Sequence, residues 1–430
     1  MTENSHFKTT PLWLLALAIS SLFLLVFIVA VTYLLMKGVG IWGINQPVAW
    51  AFAITNFVWW IGIGHAGTFI SAILFLAEQE WRTSISRLAE TMTIFAVVCA
   101  GLFPILHLGR PWFFYWLIPY YDTMGLWPQF RSPLIWDMFA VFTYLTISIL
   151  YWFLGLIPDF AILRDASLTL WKKRAYGFFA LGWTGSSEQW SFYRTLFLLL
   201  AGLATPLVIA VHSIVGLDFA SAVIPGWHST IFPPYFVAGA IFSGFGMVLT
   251  LAIILRKGLH LENLITQKHL DLCARFALAM SLIVSYGYLL EAFTAYYSGD
   301  IYEIALVENR YFGPYFIPAW LMLTCNVLMP QLLWFEKIRN SPTWLFILSL
   351  LINVGMWTER FIIIVTSLNR DFLTSSWHLF KPTIWDWATL VGSMGLFATL
   401  YVLASRVLPM IPLSEVREDQ SQRDSLEAVP

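Results

Sequence analysis

His107 closes an apolar run in the stretch His107-Leu108-Gly109-Arg110-Pro111-Trp112-Phe113-Phe114-Tyr115-Trp116, and Asp137 follows thirty residues later in Ser132-Pro133-Leu134-Ile135-Trp136-Asp137. An imidazole and a carboxylate are suited to general acid–base work near neutral pH, since the histidine titrates there and the acid can orient it or stabilise its charged form. Taken alone, His107 reads equally as a helix-end histidine bonded to a carbonyl. Asp137 shifts that balance, because a carboxylate early in an apolar segment needs a donor and an imidazole supplies one. Arg110 and Trp112 lie in the same stretch and offer a cation and an aromatic wall to a bound molecule.

The elements that must position these groups are membrane helices. Of the 430 residues 59% are hydrophobic and 11% charged, with a mean hydropathy of +0.73, whereas about a quarter of residues are charged in soluble domains. A net charge of -1 gives no reason to expect a nucleic-acid partner. Cys99, Cys273 and Cys325 fall inside apolar segments without a CxxC pair, so no cysteine set for a metal or an iron–sulfur cluster is present. No small-residue cleavage site follows the first apolar run, which reads as a retained helix.

Apolar runs long enough to span a bilayer occur at 11–36, 50–77, 89–109, 132–157, 194–213, 235–255, 272–292, 317–335, 343–366 and 386–407. The expected fold is an all-α polytopic membrane protein of about ten transmembrane helices, arranged as two four-helix bundles plus two flanking helices. In chain order these are an N-terminal flanking helix (1–49), a first bundle (50–214), a second bundle (235–366), a C-terminal flanking helix (386–407) and a disordered tail (408–430). An internal echo, Phe57–Leu76 against Phe236–Leu255, matches Gly67 with Gly246 and suits two related bundles.

Orientation follows from the basic residues, which collect on the cytoplasmic side. One alternating set of connections holds fifteen, and the other holds only Lys37, Arg110, Arg131, Arg310, Arg370 and Lys381. Both termini are therefore expected in the cytoplasm and His107 near the outer surface. The group Trp171-Lys172-Lys173-Arg174 in the long inner connection suits a lipid headgroup layer. The outer connections near 110–131, 214–234 and 293–316 are aromatic and poorly charged, a surface that a partner protein or an interfacial aromatic belt would explain.

Each ionisable group at mid-bilayer costs roughly 2.5–3.5 kcal/mol on insertion scales and so asks for a partner, water or a function. His107, Asp137, His212, Asp218, Glu291 and Glu359 with Arg360 are expected toward the outside, and Glu78, Glu80, Glu90, Arg275 and Glu336 toward the inside. His65, in Gly62-Ile63-Gly64-His65-Ala66-Gly67, lies near the middle, where proton transfer and helix-to-helix hydrogen bonding are equally open. His212 with Asp218 reads as an interfacial pair, and Glu359 and Arg360 as structural partners of other helices. Glu78, Glu90, His65, His212, Asp218, Glu291 and Glu359 together could form part of a proton path. The histidines do not fall into facing pairs for haem, and no CxxCH, Walker loop or dinucleotide-binding glycine pattern is present.

Trp59–Gly67 (WWIGIGHAG), Ala89-Glu90-Thr91-Met92-Thr93, Gly101–Trp116 (GLFPILHLGRPWFFYW) and Phe130–Asp137 (FRSPLIWD) resemble the NrfD-like, polysulfide-reductase-type membrane subunits. The likeness is closest to the ten-helix quinol-oxidising subunit of bacterial alternative complex III and covers about residues 50–405. It implies a quinol, menaquinol or ubiquinol, oxidised near the outer face, with His107 and Asp137 as the quinol-site pair and His212 and Asp218 on an outer proton route. It also implies an outer iron–sulfur subunit, a second similar membrane subunit and haem c subunits as partners, no redox centre in this chain, and a place in the bacterial inner membrane. A secondary transporter rocking about His65, and a purely structural anchor for redox subunits, are the competing readings.

Overall fold

Thr10 caps the first helix by accepting the Trp13 amide on its hydroxyl, Pro11 occupies the first turn, and Gly38 at φ +82° ends it. Repeated along the chain, such signals divide the described residues into ten helices long and apolar enough to cross a membrane. They are α1 (Pro11–Lys37), α2 (Phe52–Leu76), α3 (Ser86–His107), α4 (Pro133–Ala166), α6 (Ser187–Ala220), α7 (Phe232–Gly258), α8 (Gln267–Ser298), α10 (Phe316–Trp334), α11 (Pro342–Asn369) and α12 (Ile384–Val407). Two shorter helices, α5 (Leu170–Phe179) and α9 (Ile301–Tyr311), lie between them. The computed structural model describes residues 10–117, 133–370 and 372–416, and among these there is no strand. Phe130 and Arg131 of the last motif, most of the 110–131 connection and the tail beyond 416 lie outside the described residues.

Burial identifies the centre. In α2 and α7, 89% and 78% of the apolar window is buried, against 17% in α1. Small residues allow this: a Cβ on Gly67 would stand 2.2 Å from the Ala89 carbonyl oxygen of α3, and one on Gly244 of α7 would stand 1.8 Å from the Ala66 Cβ. Backbones that approach so closely gain van der Waals contact where lipid offers no hydrophobic drive. α2 packs on α3, α6 and α7, α4 packs on α6, α7 packs on α8 and α11, and α10 packs on α11. α1 pairs with α12 across Gly392 and Gly395, and its other faces present Leu15, Leu22, Phe23 and Ile28 outward.

Two features depart from the sequence reading. α4 and α6 each run 34 residues, longer than their apolar cores, because Asp159 and Arg164 continue one and Ser186 caps the other well before its apolar run. The tail expected to be disordered from 408 is ordered through 416: Met410, Ile411 and Ser414 are buried and the Ser414 amide donates to Asp159 Oδ1 at 2.9 Å.

Candidate functional site

His107 is the last residue of α3, where Gly109 at φ +70° turns the chain against the Val39 side chain. Trp42 lies parallel to its imidazole with ring centroids 6.5 Å apart, and His107 Nδ1 is buried without a hydrogen-bond partner. Asp137 lies one turn into α4 and is 7% exposed, and Asp218 stands two residues before the end of α6, the helix packed along α4. The two carboxylates lie near enough to feel each other's charge, and Oδ1 of each is buried without a hydrogen-bond partner. Among the described residues no hydrogen bond joins His107 to Asp137, and the group that acts electrostatically on Asp218 is Asp137. Arg110 and Trp112 are exposed, Trp112 by 58%.

Deeper in the molecule, His65 of α2 meets His212 of α6 with Nδ1 to Nδ1 at 2.5 Å and the rings at 84°. Of two such nitrogens one donates and the other accepts, so the contact holds a single proton between the rings. Both side chains are fully buried and both Nε2 atoms lack a partner. Tyr144 stands edge-on to His65 at 4.0 Å and donates to the Gly64 carbonyl, which also accepts from Thr93 Oγ1 at 2.7 Å. This corrects two expectations: His212 is at the level of His65, not the outer surface, and its partner is His65, not Asp218. The cause is the length of α6, whose eight further residues to Ala220 carry His212 inward.

One and two turns further along α2 come hydroxyls. Thr68 Oγ1 donates toward Thr93 and Ser148, each at 3.3 Å, and Ser71 Oγ donates to Glu90 Oε1 at 2.5 Å. Glu90 Oε2 faces Arg87 Nη1 at 3.2 Å, and Arg87 Nη2 reaches the Gly155 carbonyl at 2.6 Å and Asp159 Oδ2 at 3.1 Å. Asp159 is completed by the Ser414 amide, and beside it Arg82 pairs with Glu415 at 2.6 Å. Burial is the largest single influence on the Arg82 guanidinium and pulls it down, but Glu415, Tyr151 and Glu90 together outweigh it, so it stands above its ordinary value. Of the inner acids named from sequence, Glu90 is in this column. Glu78 is not: it is exposed past the end of α2 with φ +52°. Arg87, Asp159 and Ser71 were missed; the i,i+3 spacing of Arg87 and Glu90 was the available signal for the first.

Glu359 and Arg360 of α11 form a second buried group. Tyr288 donates to Glu359, Asn326 donates to the Tyr288 hydroxyl at 2.7 Å, and Arg360 Nη1 lies 2.7 Å from Glu359 Oε1. The neighbours in sequence therefore do touch, contrary to expectation, while Glu359 also binds another helix as expected. The absent side chain of Gly239 makes room for the Arg360 guanidinium, which stacks over Phe236 at 4.1 Å. Its charge is felt at His212 across the interface of α6 and α7. Glu291 pairs with Arg310, which also donates to Thr366 at 2.7 Å. π-helical turns at Thr324–Leu328 and Ile362–Thr366 flank these groups, a distortion frequent at functional sites. Among the described residues no three or more His, Cys, Asp or Glu side chains gather as a metal site.

The sequence profile of the family described as "Polysulphide reductase, NrfD" matches residues 41–370. The chain belongs to that family. Similar NrfD-family chains include a protein of Halobacterium salinarum named as a membrane subunit of a dimethyl sulfoxide reductase, 23% identical over 92% of this chain and 91% of the relative. The Hdr-like menaquinol oxidoreductase integral membrane subunit of Archaeoglobus fulgidus is 20% identical over 90% and 91%. A selenate reductase subunit of Mesobacillus selenatarsenatis is 20% identical over 87% and 89%.

Proposed function

We propose that this chain is the quinol-binding membrane subunit of a respiratory oxidoreductase complex and that the quinol is oxidised at the His107 end. The observation that carries the reading is the set of three ionisable side chains, His107, Asp137 and Asp218, each with a buried atom that lacks a hydrogen-bond partner. Leaving such atoms unpaired costs about 1–3 kcal/mol each, and a ligand carrying hydroxyl groups would remove that cost. A quinol supplies two hydroxyls, and its oxidation releases two protons and two electrons. The Nδ1 of His107 and the carboxylates of Asp137 and Asp218 accept the protons as general bases. The electrons pass to an iron–sulfur cluster of a partner subunit docked on the same end.

The names of the relatives support the substrate class, one being a menaquinol oxidoreductase subunit, and support membership of a multi-subunit enzyme. With fifteen basic residues against six favouring cytoplasmic termini, the His107 end faces outward in a bacterial inner membrane. Alternative complex III, with its second similar membrane subunit and haem c subunits, is the assembly we favour. The proton path proposed alongside runs from Glu90 through Ser71 and Thr68 to the His65–His212 contact, with Asp218, Glu291 and Glu359 on its outer side. The hydrogen bonds along α2 support its inner half.

Asp137→Asn and Asp218→Asn, singly and together, test the site in the purified complex. The expected result is a fall in quinol oxidation of about 100-fold or more, the lower range of general acid–base contributions, with the complex still fully assembled. Turnover equal to that of the wild type in the double variant would remove the site from the reaction.

A further inference from the structure

The connection between α4 and α6 encloses a feature that the redox chemistry does not use. A cleft of about 550 Å³ lies between the last turns of α4, the short helix α5 and the end of α12, within the roughly 300–1,000 Å³ of small-molecule sites. Its α4 wall runs from Trp152 to Leu163, about 16 Å of helix. That is close to half of a hydrocarbon core of about 30 Å, the depth of one leaflet. Phe160 and Tyr176 stack inside it at 6.1 Å, and its floor is apolar.

The rim differs from the floor. Lys172 of α5 and Arg406 of α12 line the cleft, Lys173 and Arg174 continue the basic run on the same short helix, and among the described residues that line it none is acidic. α5 has only ten residues and exposes Leu170, Trp171, Phe178 and Phe179, so it lies along the surface of a membrane and does not cross it. Trp171 and Trp13 sit against Lys172 and Arg406 respectively, at 5.9 Å and 5.6 Å, and hold the two cations at the headgroup level.

We infer that this cleft binds one anionic phospholipid, with an acyl chain along α4 and the phosphate between Lys172 and Arg406. Length matches an acyl chain of one leaflet, and the paired cations match a negative headgroup. An uncharged quinol or a zwitterionic lipid brings no net negative charge to them. The inference stands apart from the quinol reading, since it uses none of its residues.

The test is native mass spectrometry of the purified complex after exchange into mixed micelles holding equal phosphatidylglycerol and phosphatidylcholine. Wild type should retain one phosphatidylglycerol in preference to phosphatidylcholine. Lys172→Gln with Arg406→Gln should lower that retention by about tenfold or more, whereas Lys173→Gln with Arg174→Gln, equal in charge but outside the cleft, should leave it in place. Ala175→Trp, which fills the cleft and keeps the cations, should also expel the lipid and covers the case in which the charge variant does not assemble. Equal retention of both lipids, equal loss in the two charge variants, or a crosslink from Ala175→Cys to a neighbouring protein of the complex would each overturn the inference.

Discussion

The Arg87 end and the His107 end of the same four helices hold the same kinds of side chain in opposite states. At the Arg87 end, Glu90 and Asp159 share one guanidinium, each acid has a further donor, and only Arg87 Nε is left without a partner. At the His107 end, Asp137 and Asp218 influence each other electrostatically, and Oδ1 of each, like Nδ1 of His107, is buried without a hydrogen-bond partner. Arg87, Glu90 and Asp159 are buried, whereas at the other end only Asp137 is, His107 and Asp218 being partly exposed. A saturated cluster is complete without a ligand and is suited to hold structure or relay a proton. In the function proposed above, the unsaturated one is completed by the bound quinol.

That contrast can be broken by making each end resemble the other. Arg87→Met leaves two buried carboxylates without their shared cation, and breaking a buried pair in this way costs about 3–5 kcal/mol. The complex should lose thermal stability and much of its yield, read by differential scanning fluorimetry in detergent and by membrane abundance. A variant as stable as the wild type would show that the Arg87 end is not the saturated structural cluster described here. His212→Leu sharpens the middle of the column: it leaves His65 Nδ1 buried and unpaired, a cost of about 1–3 kcal/mol. Proton release per quinol in sealed vesicles should fall in this variant to the two chemical protons, and an unchanged ratio would confine the histidine pair to packing. The smallest effect belongs to Glu415→Gln, whose ion pair with Arg82 is partly exposed and worth about 0.2–1 kcal/mol. A melting point shifted by more than Arg87→Met shifts it would reverse the assigned hierarchy.

How much of this was legible in the chain depends on the kind of information. The ten helices follow from a simple length requirement, and the observed spans reproduce the apolar runs closely at α1, α2 and α12. The placement of His107 and Asp137 near helix ends was legible because both stand beside breakers, Gly109 and Pro111 on one side and Pro133 on the other. The depth of His212 was not, since the apolar run read from the sequence ends at residue 213, while Ile214, Val215, Leu217 and Phe219 carry the helix on to Ala220. Nor were the partners of Glu90: Asp159 sits past Pro158 near the polar end of α4 and meets Arg87 only through the packing of α3 against α4. The docking of residues 408–416 depends on a backbone amide at Ser414 reaching a buried acid, an interaction that no side-chain pattern announces.

The most direct test of the central claim is binding rather than turnover. A redox-inactive quinol analogue, titrated into the purified complex and followed by quenching of tryptophan fluorescence, reports occupancy of the site without requiring electron transfer. Asp137→Asn with Asp218→Asn should weaken its affinity by about tenfold or more, the loss of charge-assisted hydrogen bonds worth about 1.5–3 kcal/mol, while Glu90→Gln at the saturated end should leave it unchanged. Equal affinity in all three proteins, or a loss confined to Glu90→Gln, would contradict the assignment of the His107 end as the quinol site.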